Sequence, residues 1–335
     1  GLAHMLGMWF GDILTMYALA GFALLLFRTR SDRAILIWAF CLIFIAPFAV
    51  LGAEKFIPLL WRSKEAAKTA EAAGMAAMEA ARAGMLAGMQ SPSYLEMLKA
   101  NAAYVKADLL AWMNVSLLSV SLGKFLLGFY AGRRRIFHNV PENRAFFRRM
   151  LGWGLGVGLV ASGAQLTVRL LTIRKILDPM APWRPVMGTV FEIGMLGLAI
   201  GYAAILVFLF QRPLWRRGLS LLAPAGRMAL SNYLGQSVLG LLVFYGFGLG
   251  YAGKWGPARC IAVAAGLFTV QIALSHLWLS RFRFGPAEWV WRSLTYGKAR
   301  SRCASLVAEP PNRPRALNRK PRRPPERKGG VAIAF

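Results

Sequence analysis

Apolar residues in this sequence run in long stretches, without the alternation of a half-buried strand or the three-to-four spacing of a surface helix. Seven such stretches lie near residues 8–27, 35–53, 109–130, 151–171, 186–210, 228–252 and 260–280. Each approaches the roughly 20 residues a helix needs to cross the hydrocarbon core of a bilayer. A segment in lipid must satisfy its own backbone hydrogen bonds, and a helix does so internally. The pattern therefore predicts an all-α fold, a polytopic integral membrane helix bundle of about seven transmembrane helices. The stretch at 151–171 is rich in glycine and carries Arg169 near its end. Small residues suit close helix approach. Gly152, Gly154, Gly156 and Gly158 recur with period two, however, which a helix does not place on one face, so the packing surface stays unspecified.

Two segments break the pattern. Residues 54–108 read as an external Ala/Met-rich helical insertion in a transmembrane bundle that covers 1–298. Within 63–90, Ala and Met give strong helix propensity. Lys64, Lys68, Glu71, Glu79 and Arg82 form one polar stripe, and Met78, Leu86 and Met89 are candidates for an apolar face. The expectation is an amphipathic helix on the bundle or at the outer interface, with a plain spacer helix as the alternative. Ser91-Pro92-Ser93 ends it. Residues 299–335 form a basic Pro-rich tail, with Pro310, Pro311, Pro314, Pro321, Pro324 and Pro325 among Arg and Lys, and are expected to be disordered.

Composition fits this picture. Of 335 residues, 57% are hydrophobic and 16% charged, and mean hydropathy is +0.46, which excludes a disordered protein and an ordinary water-soluble domain. The net charge of +27 would suggest nucleic acid in a soluble protein, so the location of the charges decides its meaning. Lys and Arg gather at alternate connections. Arg28, Arg30 and Arg33 mark one, Arg133, Arg134, Arg135, Arg144, Arg148 and Arg149 the next, and Arg212, Arg216, Arg217 and Arg227 a third. The connections between them are poorer, and 54–108 balances seven Lys/Arg against six Asp/Glu. Positive charge stays cytoplasmic, which puts residue 1 outside and the C-terminus inside. The sequence opens on Gly1 and enters an apolar stretch with no charged leader and no cleavage site. It reads as N-terminally incomplete, with an odd number of crossings expected upstream. The stretch 298–328 carries eleven Lys/Arg against two Asp/Glu, +9 of the net charge. Beside an anionic leaflet such a segment binds lipid at about 1 kcal/mol per basic residue. Nucleic acid is set aside, since no aromatic residues interleave and no fold presents the charge. Three cysteines give no disulfide framework, and no metal-binding spacing is present.

Ionisable and amide side chains inside apolar stretches mark bundle interiors or water-filled cavities. On the outer side lie His4, Asp12, Asn114, Arg169 and Glu192. Asn114, Arg169 and Glu192 outline an outer polar cavity, with Arg169 and Glu192 expected to form an ion pair, either structural or part of that cavity. His4 and Asp12 are the candidates for moving a proton. On the inner side, Lys124, Arg227, Asn232, Gln236, His276 and Glu288 outline a second polar cavity. Asn232 and Gln236 share one helix face with Ser237 and Tyr233 close by, which reads either as a helix clamp or as a vestibule for an anionic ligand.

The most informative stretch is 226–298. It contains GRMALSNY at 226–233, QS at 236–237, YGFGLG at 245–250 and RFRFGPAEWVWRSLTYGK at 281–298. In order and spacing these pieces resemble the C-terminal domain of the YeiB-like family of bacterial multi-pass membrane proteins, long labelled a domain of unknown function. HMLGMWFGDILTMYALAGFALLL at 4–26 is similar to that family's middle region. The resemblance implies a bacterial inner (plasma) membrane. Its distant kinship with transmembrane acyltransferases implies an acyl-CoA donor on the cytosolic side and an acceptor outside, with no resident cofactor. The catalytic histidine of those acyltransferases belongs to an earlier part of the chain, so His4 does not inherit its role. Around Glu288, the residues also suit an interfacial anchor. Trp289 and Trp291 fit an aromatic belt, and Glu288 stands four before Arg292, a good helical pairing.

Three functions are compatible with these features: a membrane acyltransferase, a transporter or exporter of a small solute, and a non-catalytic membrane partner. The absence of an internal repeat of spans and of paired broken helices counts against the transporter. Oligomeric state and substrate are not encoded in any motif.

Overall fold

A computed structural model describes residues 1–61, 63–109, 113–138, 140–178 and 184–297. The basic tail, Cys303 included, lies outside the described residues, as does the side chain of Asn114. The chain forms, in order, α1 (Leu2–Gly7), α2 (Leu14–Leu24), α3 (Asp32–Phe40), α4 (Ala46–Trp61), α5 (Lys64–Gln90), α6 (Tyr94–Leu109) and α7 (Met113–Arg133). There follow α8 (Arg144–Ile173), α9 (Arg184–Phe210), α10 (Pro213–Ser220), α11 (Ala223–Arg227), α12 (Ala229–Phe244), α13 (Pro257–Arg281) and α14 (Pro286–Tyr296). A π turn, Cys41–Ile45, joins α3 to α4, and a short 3-10 turn, Leu25–Phe27, extends α2.

The architecture is all-helical. Five helical segments are long and apolar enough to cross a membrane: Asp32–Ala53, Val115–Arg133, Arg144–Ile173, Val186–Phe210 and Pro257–Arg281. The stretches expected at 8–27 and 228–252 are shorter apolar helices, Leu14–Phe27 and Ala229–Phe244. In both, the helix stops where backbone chemistry intervenes. Asp12 caps the first turn of α2 from the preceding loop, and the chain after α12 turns through Gly250 and Gly253, both at positive φ. Large apolar side chains point outward along the bundle: Phe22, Leu26, Trp153 and Val160 are each more than 70% exposed. Bilayer tails are as apolar as leucine, so these faces suit lipid. This is a membrane protein.

The glycines of α8 divide by face. Gly154 and Gly158, four apart, are buried against Gly197 and Gly201 of α9. A Cβ at Gly158 would stand 2.6 Å from the Leu198 backbone nitrogen, and one at Gly154 would stand 2.7 Å from that of Gly201. Gly152 and Gly156 face open space. The period-two run thus hides a small-xxx-small stripe at every second glycine.

In α5, the half-buried positions near its end are Met78, Ala81, Met85 and Met89, with Gly88 buried where the helix meets Ala100 of α6. Leu86, expected on the apolar face, is 45% exposed. The helical repeat sets it one position off the stripe that Met85 occupies. The side chains of Lys64, Lys68 and Glu71 lie outside the described residues.

At the Arg-rich end of α7, Arg133 and Arg134 both reach Asp32 at the start of α3, with Nε–Oδ distances of 3.4 and 2.6 Å. Arg133 also donates to the Arg30 carbonyl. Two Arg-rich connections therefore share one end of the bundle. At the other end, Met97 of α6, Leu241 of α12 and Tyr245 form a buried cluster with Met8 and Met89 packed against it. That cluster fixes where α1 sits.

Candidate functional site

Helix α1 is too short to hold itself, and α6 supplies its missing hydrogen bonds. The Tyr94 hydroxyl donates to the Gly7 carbonyl at 2.8 Å, and Asn101 Nδ2 donates to the Leu6 carbonyl at 3.2 Å. These are C-terminal carbonyls without intrahelical partners. Held in this way, α1 buries His4 beside α12. Nε2 of His4 lies 2.8 Å from the Ser237 hydroxyl oxygen. Nδ1 lies 2.9 Å from Asp12 Oδ1, off the line of a straight hydrogen bond. Asp12 is itself fixed, because Oδ2 accepts from the Thr15 backbone N–H at 2.8 Å and from the Thr15 hydroxyl at 2.7 Å. A carboxylate in this place satisfies orphan donors at the start of α2 and favours the positive end of its dipole. The Tyr233 ring stands 5.1 Å from the imidazole, and its hydroxyl lies 3.5 Å from Asp12 Oδ1.

The proton chemistry depends on the tautomer. With the imidazole proton on Nδ1, toward Asp12, Nε2 is an acceptor facing Ser237. The Ser237 hydroxyl has a second option, the Tyr233 carbonyl at 3.2 Å one turn back. When Nε2 is protonated, it donates to Ser237 Oγ, and the hydroxyl proton turns to that carbonyl. A serine, a histidine and an aspartate thus stand in series, the order that activates nucleophiles on unrelated folds.

Beside His4 opens a cavity of about 1050 Å³, mostly apolar in lining. Tyr17, Leu230 and Leu234 contribute to its walls, and Arg227, Glu288 and Arg292 to the same enclosure. His4, expected on the outer side, and Arg227 with Glu288, expected on the inner side, therefore share one cavity. The remaining expected residues fall elsewhere. Asn232 and Gln236 form a seam with α13: Asn232 Nδ2 donates to the Ser275 hydroxyl at 3.1 Å and to the Ala225 carbonyl at 3.1 Å. Gln236 Nε2 donates to Gln271 Oε1 at 2.8 Å, and Gln271 Nε2 donates to the Asn232 carbonyl at 2.9 Å. His276 is exposed and meets the Leu221 carbonyl at 2.8 Å, away from the cavity.

Two pairings need correction. The sequence pattern puts Glu192 on the outer side with Arg169, and Lys124 on the inner side. Instead Lys124 Nζ lies 2.7 Å from Glu192 Oε2, while Arg169 is exposed. Each sits a few turns inside its helix, α7 and α9, so their depths converge toward the middle of the bundle. Glu288 does not pair with Arg292. Oε1 accepts from the Leu230 N–H at 2.7 Å and the Ser231 N–H at 3.0 Å, and the Ser231 hydroxyl donates to Oε2. The carboxylate of α14 thus caps the N-terminus of α12, while Arg292 lies 4.7 Å over the Phe284 ring. Gly285 makes this possible, since a Cβ there would strike Glu288 and the Ser231 hydroxyl. The Gly-Pro-x-Glu order has this local meaning: no side chain at the entry, proline in the first turn, and a carboxylate aimed across at α12.

Sequence reasoning missed Thr15, Gln271 and Ser275 as members of these clusters, and placed Ser237 close to Asn232 and Gln236 without linking it to His4. Among the described residues, no three His, Cys, Asp or Glu side chains are grouped to hold a metal ion.

A family described as protein of unknown function (DUF418) matches residues 131–298, which include Ser237 and Glu288 and exclude His4 and Asp12. Over 302 residues the chain is 31% identical to "Uncharacterized protein YxaH" of Bacillus subtilis (strain 168), covering 88% of this chain and 69% of that one. It is 39% identical over 109 residues to "Uncharacterized 39.9 kDa protein in amylase 3'region" of Bacillus acidopullulyticus, covering 31% of each chain. It is 34% identical over 142 residues to "Uncharacterized protein YeiB" of Escherichia coli (strain K12), covering 42% of this chain and 36% of that one. The matched regions thus cover about a third of the length of the last two relatives. No solved structure matches.

Proposed function

The chain belongs to the DUF418 family, with relatives that include YeiB and YxaH, and on that premise we propose that this membrane protein passes an acyl group from a cytosolic acyl-CoA to an acceptor on the outer side. One observation carries the reading: His4, backed by Asp12, borders the same cavity as Arg227 and Arg292. Guanidinium groups suit the phosphates of a CoA donor. The apolar walls suit its acyl end. His4 Nε2 is the base that accepts a proton as the acceptor is acylated, a role worth about 10²–10⁴-fold in rate.

The orientation belongs to the same proposal. The Arg-rich ends lie in the cytoplasm of a bacterium, the protein sits in the inner (plasma) membrane, and the C-terminal tail rests on anionic lipid. Leu14–Phe27 and Ala229–Phe244 then count as crossings alongside the five longer ones. A cysteine placed at Ala80 is expected to react from outside, and one at Val140 only from the cytoplasmic side. The reverse labelling overturns the orientation.

The enzymatic test is release of free thiol from acetyl-CoA by the protein in proteoliposomes supplied with an amine or alcohol acceptor on the outer side. Turnover is expected with the native chain and lost with His4→Ala. A second reading, solute transport, draws on the Lys124–Glu192 pair within the bundle. A protein that binds no acyl-CoA yet moves a solute down its gradient supports that reading and ends the first.

A further inference from the structure

We propose that Ser237 is a histidine-activated nucleophile that carries the acyl group as an ester, so that transfer runs in two half-reactions. This rests on the acyl-transfer reading for the identity of its donor, though not for the activation of the hydroxyl. A helical serine bonded to the carbonyl one turn back is ordinary and by itself means nothing. Ser237 differs in what faces it. The imidazole nitrogen 2.8 Å away belongs to a buried His4 whose other nitrogen lies 2.9 Å from Asp12 Oδ1. The neighbouring Asn232, Gln271 and Ser275 are engaged with one another across the α12–α13 seam and leave His4 to Ser237. His4 also lines the cavity, and Leu234, one turn before Ser237 on the same helix, lines it too.

In the first half-reaction the Ser237 oxygen bonds to the thioester carbonyl carbon and the C–S bond breaks. The hydroxyl proton passes to His4 Nε2 and on to the departing thiolate, which leaves as free thiol. In the second, the hydroxyl or amine of an acceptor bonds to the ester carbonyl carbon and the bond from that carbon to Ser237 Oγ breaks. Its proton passes through Nε2 back to Ser237 Oγ, and the acylated acceptor departs. No oxidant, reductant or metal enters the balance.

A fluorophosphonate probe tests the nucleophile without assuming any donor. The native chain in detergent is expected to form a phosphonyl adduct on the Ser237 peptide, read by mass spectrometry. Ser237→Ala is expected to form none, and His4→Ala to label at least about 100-fold more slowly. No adduct at Ser237, or equal rates with and without His4, overturns the proposal. Acetyl-CoA without acceptor then tests the carrier role. The expected result is one equivalent of thiol and a hydroxylamine-labile acetyl group on Ser237, with Ser237→Cys holding the acetyl as a thioester. Full turnover in Ser237→Ala beside its loss in His4→Ala sinks the ester while leaving direct acyl transfer intact. Fluorophosphonate labelling without any acetyl-CoA turnover keeps the activated serine and removes acyl-CoA as its donor.

Discussion

Two helix pairs in this bundle are joined by opposite means. Helices α8 and α9 meet through absent side chains, with Gly154 and Gly158 against Gly197 and Gly201. Helices α12 and α13 meet through amides and a hydroxyl, Asn232, Gln236, Gln271 and Ser275. Lipid provides no hydrophobic drive for either pair, so close packing and hydrogen bonds are the means left. The first joint is inert and tolerates nothing larger than hydrogen at its centre. The second introduces polar groups into an apolar setting, and Ser237 lies one turn from Tyr233 beside it. The proposed nucleophile is on the helix whose seam is polar.

The largest expected effect separates chemistry from stability. Asp12→Asn is expected to lower acetyl-CoA turnover by about 10²-fold or more, while the melting temperature in detergent changes little. A variant that loses both together makes the His4–Asp12 contact structural. Next, Gly158→Leu is expected to destabilise by about 1–3 kcal/mol, since its side chain would meet α9 backbone that cannot yield. Unfolding in a detergent titration measures it, and an unchanged transition means the two helices are not seated on that stripe. Gln271→Leu removes the partner of the Gln236 amide and the second donor to the Asn232 carbonyl, at about 0.6 kcal/mol and at most about 1.7. A cost equal to that of Gly158→Leu would erase the contrast between the two joints. Gly156→Leu, on the open face of α8, is expected to stay within about 0.5 kcal/mol of the native chain.

The sequence was most legible where the environment acts on every residue alike. Bilayer-length apolar runs located the helices, and the arginines at the ends of α7 and α8 located their termini. His4 and Asp12 stood out because ionisable groups in apolar stretches are rare. Their partner did not, because Ser237 lies 233 positions from His4 and serine is common in helices of this kind. Pairing Glu192 with Arg169 requires consecutive helices to hold equal depths, whereas α7 brings Lys124 against α9 instead. The glycine run of α8 carries two interleaved faces, which a linear sequence displays as one. Glu288 has Arg292 four residues on, but a single sequence displays partners along a helix and conceals the neighbouring helix end that offers two amide protons.

The imidazole of His4 is seated by groups from distant parts of the chain, the loop before α2 and the middle of α12. A ribosome releases those parts at very different moments. Until α12 is in place, His4 lacks its Ser237 neighbour. A nascent or prematurely terminated product therefore holds the His4, Asp12 and Ser237 cluster in pieces only. The cluster is completed as one of the last events of assembly.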